Sequence, residues 1–456
     1  MIMTNATTYP FDDEAMEYPA DTARAPASAW FALAVLVGAT LFSFVDRQIL
    51  ALVAEPLRES LDLSDLQLGA LQGLGLAIFA ALASYPMGWL SDRYDRRLVL
   101  CAGILIWSCA TAACAFQTSF EGLFASTVGI AVGEAGLAPI VLSIIPDIFP
   151  RRQRTLANFI YFTAALIGAA IGIGLGSVTL GWLTENVASL PGMLGELEPW
   201  RVAMIVVALP GPLFIALVAM LKVRRPQISA AHNGPADAST AATGLLPYVR
   251  QHWKTVFFIF SAMAAYNIGI GSTLIWIPAA IHRAFGVPLA TVGLQLGAML
   301  GVASIIGLIC SGSALKFLPG DKALLPLRIA TAAFVIAMAA TFMLPLIQFH
   351  WQGLAIVGVQ MGAGMGAAAL MPGVLQDISP PHLRGRIISI LSIVGAVAQG
   401  VSPMLVGAIS TTINDPRGVL QALAIVATPG WLVAAYLIWR SVGACKRTLA
   451  ILDVEH

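Results

Sequence analysis

Twelve long apolar segments dominate this chain and restrict what it can fold into. Each has roughly the 20 residues that a helix needs to cross about 30 Å of hydrocarbon. Only 11% of the residues are charged, whereas soluble domains carry about 25%. Strands of a membrane barrel are about ten residues long and alternate in polarity, so the pattern predicts an all-α membrane protein. The predicted spans, numbered 1 to 12, are 29–54, 66–91, 97–117, 120–146, 156–181, 200–222, 254–281, 290–315, 323–346, 353–376, 387–411 and 418–440.

Two opposite charges, Asp46 and Arg47, lie side by side inside span 1. On insertion scales, each charge costs about 2.5–3.5 kcal/mol at the centre of a spanning helix. Charged residues within spans usually face a cavity and mark a path for ions or substrate. The pair is therefore the first candidate functional site.

The placement of the cations predicts the orientation in the membrane. If both termini are cytoplasmic, 20 of the 25 Lys and Arg residues fall on the cytoplasmic side. Four, namely Arg58, Arg201, Arg283 and Arg417, fall on the other side. Because cytoplasmic loops are enriched in Lys and Arg, we expect both termini in the cytoplasm.

A polar segment between Lys222 and His252 divides the spans into six and six, and it predicts a flexible cytoplasmic linker. The predicted organisation is a cytoplasmic N-terminal tail at 1–28, a six-helix bundle at 29–222, the linker at 223–252, a second six-helix bundle at 253–442 and a cytoplasmic C-terminal tail at 443–456.

The two halves repeat one motif at the ends of spans 4 and 10. Adding 230 to the numbers of Asp147, Pro150 and Arg154 gives Asp377, Pro380 and Arg384. Internal repeats of this kind are typical of transporters. We interpret the halves as two homologous bundles, and we take the charged members of the motif as candidates for a cytoplasmic gate.

A glycine and a group of charges after span 2 predict a second part of that gate. The segment contains Gly88, Asp92, Arg93, Arg96 and Arg97. A small residue lets two helices approach closely, and a carboxylate forms charge-assisted bonds with guanidinium groups. A short Arg-rich loop is also expected from topology alone, so the gating hypothesis depends on Asp92 with Gly88.

This segment resembles the cytoplasmic loop signature of the major facilitator superfamily, and the resemblance extends over nearly the whole chain. Asp95 stands where that family often has a second glycine. In the second half Gly312 begins a degenerate copy, with Lys316 at the aspartate position. The resemblance implies the major facilitator fold and transport by alternating access, without enzymatic activity.

Spans 1 and 4 resemble the Spinster branch of that superfamily. The matching residues are Asp46, Arg47, Gly129, Val132, Gly133, Glu134, Ala135, Ala138, Pro139, Asp147, Phe149, Pro150 and Arg154. The family often has an Arg two helical turns before the glutamate, whereas this chain has Thr127. Glu134 therefore lacks a countercharge on its own helix, and Arg47 is its nearest candidate partner. The resemblance implies a bacterial-type homologue in the inner (plasma) membrane.

Asp46, Arg47 and Glu134 form the predicted coupling site. Apolar surroundings favour the protonated form of a carboxyl group, so Asp46 and Glu134 are the candidate proton carriers. Protonation would release the donors of Arg47 for an anionic substrate group. An ion pair that only fixes the packing of spans 1 and 4 is the alternative. Trp276 and Gly364 occupy the positions shifted by 230 from Asp46 and Glu134, which confines this chemistry to the first bundle.

The candidate substrate-contacting residues in the middle of the spans are uncharged. They are Tyr161 in span 5, Tyr266 and Asn267 in span 7, Gln360 and Met361 in span 10, and Gln399 in span 11. Helix packing is an equally good interpretation of each. The first bundle supplies the charged groups, and the second supplies aromatic, amide and thioether groups. This division suits a substrate whose anionic group lies near Arg47 and whose large apolar body lies against the second bundle. Spinster relatives are associated with lysolipids and sphingoid phosphates, so the resemblance implies a lipid-like substrate, with the proton as the coupling ion and no other cofactor.

Other functions share this architecture. A proton-driven exporter of drugs or metabolites would transport without preferring lipids, and a membrane sensor would bind without accumulating its ligand. An enzyme would need a convergent nucleophile, base or metal set, but the six histidines are scattered and no metal-ligand spacing or phosphate-binding loop is present. We expect no metal, no nucleic acid and no obligate protein partner, only the lipid bilayer and a small amphiphilic substrate.

Overall fold

The computed structural model describes residues 25–221, 245–321, 323–379, 383–413 and 415–455. Within these ranges every regular element is a helix. Most of the predicted N-terminal tail and linker, and Pro380 of the repeat, lie outside the described residues. The side chains of Asp92 and Arg384 lie outside them as well.

Twelve helices in the described part of the chain are long and apolar enough to cross a membrane. The predicted all-α class and the predicted number of spans are therefore confirmed. The spans, in order, are Ala27–Leu52, Asp65–Ser91, Arg96–Cys114, Phe120–Ile148, Ile167–Ser189, Pro199–Ala219, Trp253–Phe285, Leu289–Phe317, Leu325–Leu346, His350–Leu375, Ile390–Ser410 and Gly418–Ile451.

Three spans belong to longer helices that extend past the apolar part. The helix Arg151–Asn186 contains span 5 except for its last three residues, Val187–Ser189, which form a 3₁₀ helix. Span 11 lies in Arg384–Ser410. Span 12 lies in Gly418–Glu455, so the segment predicted as a C-terminal tail continues the last helix.

Spans 2, 4 and 6 of the first bundle contain interrupted helix, and span 6 is divided into Pro199–Ala208 and Pro210–Ala219. Span 2 has a π-helical segment at Ala70–Gly75. Span 4 is divided into Phe120–Glu134 and Leu137–Ile148. Such interruptions of the backbone ladder are frequent at functional positions. The division of span 4 comes directly after Glu134, one of the predicted coupling residues.

Spans 1–6 pack mainly with one another, as do spans 7–12, and the bundles meet mainly where span 5 contacts span 8 and span 2 contacts span 11. We call the end of the bundles that carries the Arg-rich segments after spans 2 and 4 the basic side, and the other end the opposite side. Gly73 of span 2 and Gly400 of span 11 lie against each other's backbone, toward the opposite side. The bundles are therefore in contact at that end.

Glycine also allows the close approach of spans 5 and 8. A Cβ atom on Gly297 would lie 2.7 Å from the carbonyl oxygen of Ala170 and 3.0 Å from the amide nitrogen of Gly174. Small residues let helices pack at such distances in a membrane, where dispersion contacts replace the hydrophobic effect.

The chain after the linker is fixed to the second bundle. The hydroxyl of Tyr248, in the short helix Leu245–Gln251, donates to the carbonyl oxygen of Ile378 at 2.5 Å. Burial raises the pKa of Tyr248 to about 12, so the hydroxyl stays a donor at physiological pH. The entry to span 7 is thus attached to the end of span 10.

The packing at Gly297 generates a stability prediction. Gly297→Ala places a methyl group against backbone, and we expect it to lower the unfolding free energy by about 1–3 kcal/mol, as overpacking does. Gly301→Ala, four residues later on span 8, meets only the Ala170 side chain at 3.7 Å and is the matched control. The measurement is the thermal midpoint of the purified protein in detergent, and equal midpoints for the two variants would contradict this account.

Candidate functional site

An ion pair links spans 1 and 4 inside the first bundle. Nη2 of Arg47 donates to Oε2 of Glu134 at 2.6 Å. The side chain of Glu134 is only 3% exposed, whereas that of Arg47 is 48% exposed. A buried carboxylate remains charged only where a cation compensates for the lost water. The structure contains the partner inferred from the sequence, and the role of the pair in coupling stays a prediction.

Gly133 explains how Glu134 reaches this position. A Cβ atom on Gly133 would lie 2.6 Å from the amide nitrogen of Trp107 and 2.7 Å from the carbonyl oxygen of Gly103. A residue without a side chain is required for spans 3 and 4 to pack this closely. The close packing draws span 4 inward, so the following residue can meet Arg47.

Arg47 faces the space between the bundles. Span 1 is enclosed by spans 4, 5 and 6 of its own bundle and also touches spans 7 and 8. A half-exposed side chain on such a helix therefore faces the interior of the protein and not lipid. The bond to Glu134 engages Nη2, one of the three nitrogens of the guanidinium. An anion that enters this space would therefore compete with Glu134 for the charge of Arg47.

Asp46 has a different environment from its neighbour. It is 1% exposed, and neither carboxylate oxygen has a donor in hydrogen-bonding geometry. Adjacent helical residues point about 100° apart, so Asp46 faces away from the space that Arg47 occupies. An ionised carboxylate without a partner in a dry interior costs several kcal/mol, so this environment suits the neutral form.

Two of the predicted substrate-contacting residues pack against aromatic or hydroxyl groups of their own bundle. The hydroxyl oxygens of Thr40 and Tyr161 lie 3.4 Å apart. The ring of Tyr266 lies 5.4 Å from that of Phe334 and 5.6 Å from that of Trp431, between centroids. Both tyrosines are buried.

The remaining four candidates divide into buried and accessible side chains. Gln360 is fully buried and donates to the carbonyl oxygen of Gly269 at 3.2 Å. Met361, the next residue in the chain, is also buried. Asn267 is half-buried and Gln399 is exposed. Packing is therefore what the structure shows for Tyr161, Tyr266, Gln360 and Met361, and substrate contact stays a prediction for all six.

Charged residues at the basic side tie the end of span 4 to the start of span 3. Arg96 forms an ion pair with Asp147 and also donates to the carbonyl oxygen of Ser143 at 3.1 Å. Arg154 donates to the carbonyl oxygen of Phe149 at 2.9 Å. These bonds of Arg96 and Arg154 stay within the first bundle.

The aspartate that departs from the superfamily signature acts as a helix cap. Oδ1 of Asp95 accepts from the backbone N–H of Arg97 at 3.0 Å and also from its guanidinium. Arg97 donates in turn to the carbonyl oxygen of Leu221, at the end of span 6. Arg93 stacks over the ring of Trp89 at 4.2 Å. An N-cap aspartate stabilises a helix start by about 1 kcal/mol, so the substitution has a local structural role.

The predicted cross-bundle gate is partly described. A Cβ atom on Gly88 would meet nothing within 4 Å, so none of the helices that the structure describes lies against this glycine. Asp377 is exposed. The side chains of Asp92 and Arg384 lie outside the described residues, and their gating role stays a prediction.

Ion pairs join the two bundles at the opposite side, at residues that the sequence did not single out as a site. Arg283, at the end of span 7, donates to Glu55 at 2.7 Å and twice to Asp65 at 2.8 Å. Ser410 of span 11 also donates to Asp65, at 2.6 Å. We call Glu55, Asp65, Arg283 and Ser410 the opposite-side latch. Arg58 donates to Glu55 as well, but from the same bundle.

The latch holds the bundles together next to an accessible cavity. A cavity of about 450 Å³ adjoins it and is lined in part by Asp65, Arg283 and Ser410. The sequence signal was weak: Arg283 is one of four cations predicted for that side, and Glu55 and Asp65 flank the turn after span 1. Contact between residues more than 200 positions apart follows from the packing of the bundles, which no local pattern encodes.

A second polar cluster on the opposite side stays within the first bundle. Oε2 of Glu198 accepts hydrogen bonds from Ser60, Trp200 and Arg201. Burial acts to raise the pKa of Glu198, but these bonds outweigh it and hold the pKa below its usual range. The cluster fastens the start of span 6 to the segment after span 1 without joining the bundles.

Within the described residues, no group of three or more His, Cys, Asp or Glu side chains could hold a metal ion.

The chain matches the model of one protein family, and it is similar to an efflux pump and to a lipid-phosphate transporter. The model of the Major Facilitator Superfamily matches residues 36–403. An MFS-type efflux pump of Mycolicibacterium smegmatis is 25% identical over 431 residues, which cover 93% of this chain and 95% of the pump. The sphingosine-1-phosphate transporter SPNS2 of Mus musculus is 27% identical over 259 residues, which cover 55% of this chain and 43% of that protein. The chain thus spans nearly all of the pump and less than half of the mouse transporter.

Solved structures share the arrangement of helices. A bacterial homologue of the human lysosomal transporter Spinster, in an inward-facing and occupied conformation, matches with a TM-score of 0.73 and 21% identity, covering 93% of this chain and 97% of that one. A D-xylose–proton symporter matches with a TM-score of 0.66 and 12% identity, covering 90% and 97%. At these identities the similarity concerns the fold.

The latch generates a conformational prediction. Arg283→Gln removes both ion pairs and leaves Glu55 and Asp65 without this cation. We expect it to favour separation of the bundles at the opposite side by about 3 kcal/mol, the lower end of the cost of breaking a buried pair. Spin labels at Glu59→Cys and Thr412→Cys, both exposed, would report longer distances by electron paramagnetic resonance.

Arg58→Gln is the control for this measurement, because it removes a cation bonded to Glu55 without touching the second bundle. Its distance distribution should match that of the parent protein. Identical distributions for Arg283→Gln and Arg58→Gln would show that the latch does not hold the bundles together.

Proposed function

The chain belongs to the Major Facilitator Superfamily and is related to its Spinster proteins, and on this basis we propose that it is a proton-coupled secondary transporter of an amphiphilic anion. It is a membrane transporter with the superfamily fold, as the resemblance of spans 1, 2 and 4 implied. Its activity is accordingly movement of a substrate across the bilayer, not a chemical conversion. The observation that carries the proposal is the Arg47–Glu134 pair beside Asp46.

The Arg47–Glu134 pair supports proton coupling because its net charge changes when Glu134 gains or loses a proton. With Glu134 ionised, Arg47 is neutralised at 2.6 Å and the interior is locally uncharged. Protonation of Glu134 leaves the half-exposed guanidinium as a net positive charge facing the space between the bundles, where it can bind an anion. Proton binding and anion binding are thereby linked through Arg47, which is the requirement for coupled transport.

Alternating access follows from the contacts at the two ends of the bundles. The opposite-side latch and the glycine contacts of spans 2, 5, 8 and 11 close the opposite side, while Gly88 has open space around it on the basic side. We take the basic side as cytoplasmic, because Lys and Arg are concentrated there. The conformation is then inward-facing, with both termini cytoplasmic, and opening to the other side requires the latch to break.

An amphiphilic anion suits the surfaces between the bundles. Arg47 supplies a half-exposed cation, and the second bundle supplies Asn267, Gln399 and apolar surface. The mouse relative is a sphingosine-1-phosphate transporter, which supports a lysolipid or sphingoid phosphate. The substrate and the bilayer are the partners proposed, with the proton as coupling ion, no nucleic acid and no obligate protein partner. The location proposed is the inner membrane of a bacterium.

Export of drugs or metabolites is the second candidate. It is favoured by one observation, the match to an MFS-type efflux pump over 93% of this chain. The same coupling residues would serve either substrate, because both mechanisms need only a proton-dependent charge at Arg47. A membrane sensor would use the pair for binding alone and would show no accumulation.

Glu134→Gln tests the coupling. The amide cannot carry the proton, so we expect uptake driven by a pH gradient in proteoliposomes to fall at least tenfold, while counterflow without a gradient persists. Glu121→Gln is the matched control, because Glu121 is an exposed residue in the first turn of the same helix. A full response of Glu134→Gln to the gradient would refute its role.

A substrate panel separates the two candidate functions. Lysophosphatidate, sphingosine-1-phosphate and a neutral and a cationic lipophilic drug would be offered with the pH gradient imposed in each sign. We expect accumulation of the anionic lipids, reduced about tenfold or more by Arg47→Gln because their anionic group loses its cation. Accumulation of drugs alone would favour the exporter, and accumulation of none would favour the sensor.

A further inference from the structure

Four polar atoms without partners meet between spans 1 and 3. They are both carboxylate oxygens of Asp46, the indole nitrogen of Trp107 and the hydroxyl of Thr111. The exposed fractions of these residues are 1%, 1% and 0%. Native proteins pair the large majority of their buried polar groups, so a cluster of this kind calls for an explanation.

The two donors lie on the face of span 3 that meets the Asp46 face of span 1. Phe42 and Asp46 are one turn apart on span 1, and Trp107 and Thr111 are one turn apart on span 3, so the ring contact of Phe42 with Trp107 brings these two faces together. None of the four polar atoms is hydrogen-bonded in this conformation. The ring of Phe42, one helical turn before Asp46, packs at 6.1 Å from that of Trp107. The amide nitrogen of Trp107 lies 2.6 Å from the position that a Cβ atom on Gly133 would occupy. Trp107 is thus held between Asp46 and the residue preceding Glu134.

Thr111 differs from other buried threonines in the spans. The hydroxyls of Thr40, Thr127 and Thr341 donate to the carbonyl oxygen four residues earlier, at 2.9, 2.9 and 2.7 Å. This bond is the usual way for a buried threonine to satisfy its hydroxyl within a helix. The hydroxyl of Thr111 does not make this bond, so it is available as a donor to Asp46.

The other charged and titratable groups near Asp46 do not stabilise a negative charge there. Glu134 of span 4 is itself an anion when paired with Arg47, and Cys114 of span 3 carries no positive charge. Arg47 follows Asp46 in sequence but is bonded to Glu134. Trp107 and Thr111 are therefore the groups available to donate hydrogen bonds to the ionised carboxylate of Asp46.

We propose that Trp107 and Thr111 are positioning residues for the proton on Asp46: they donate to its carboxylate when the proton leaves and so set the pH at which it leaves. The proposal rests on the proposed function, in which Asp46 carries a coupling proton. Each oxygen of the ionised carboxylate would accept one bond, from the indole N–H or from the hydroxyl. A neutral carboxyl group accepts such bonds more weakly than a carboxylate does, and neither bond is formed in the conformation observed.

The direction of the pH effect follows from this arrangement. Bonds to the ionised form favour release of the proton, so their loss makes Asp46 keep its proton to a higher pH. A hydrogen bond to a charged group corresponds to a shift of about one pH unit or more. Trp107→Phe and Thr111→Val should each raise the pH of proton release by about one unit.

Infrared difference spectroscopy tests this without a known substrate. Spectra of the purified full-length protein in lipid nanodiscs would be recorded against pH, and the carboxylic C=O band of Asp46 would be identified by its loss in Asp46→Asn. We expect Thr111→Val and Trp107→Phe to move the midpoint of that band upward. Thr111→Ser keeps the hydroxyl and should retain the parent midpoint.

Thr127→Val controls for the loss of any buried hydroxyl in this bundle, because Thr127 is fully buried and bonded to its own helix. A band lost in Asp46→Asn but unmoved by Thr111→Val and Trp107→Phe would overturn this inference alone. The inference would also be overturned if Thr127→Val and Thr111→Ser moved the midpoint of the Asp46 band as far as Thr111→Val does. Spectra unchanged by Asp46→Asn would overturn both the inference and the role of Asp46 in the proposed function.

Discussion

The bond between Arg47 and Glu134 is the interaction on which the rest of the account depends. A carboxylate in the middle of an apolar span requires a cation, and this chain lacks one on the same helix. The cation comes from span 1, and it reaches Glu134 because Gly133 lets span 4 pack onto the backbone of span 3. Because span 4 lacks its own cation, the ion pair joins it to span 1, while backbone packing joins it to span 3. Asp46 and Arg47 are adjacent in sequence but have different surroundings. Asp46 faces a closed interior, and Arg47 faces the space between the bundles.

The charged bonds described at the two ends of the bundles join different partners. At the opposite side, charged bonds from Arg283 cross between bundles and accompany glycine contacts between spans. At the basic side, the bonds described for Arg96 and Arg97 stay within the first bundle. Charged cross-bundle contacts like those of Arg283 can be exchanged for others when the bundles rock, as alternating access requires.

Much of the fold was readable from the sequence because the bilayer leaves few solutions. Span length, the excess of cations on one side and the 230-residue repeat of Asp147 and Arg154 each encode architecture directly. The candidate site was predictable where charges are rare, as for Asp46 and Glu134. Uncharged residues such as Gln360 carried no such signal, since packing and binding use the same side chains. The contact of Arg283 with Asp65 arises only when two bundles are assembled, so no local pattern revealed it.

The central claim is that substrate and proton move together through the site formed by Asp46, Arg47 and Glu134. The most direct measurement is the pH inside proteoliposomes loaded with a pH-sensitive dye, recorded while lysophosphatidate is added outside with no gradient imposed. The account predicts a substrate-dependent change of internal pH that is absent when Asp46 and Glu134 are both replaced by their amides, with the protein still inserted. An equal pH change in that double variant, or transport by the parent protein without any proton movement, would contradict the account.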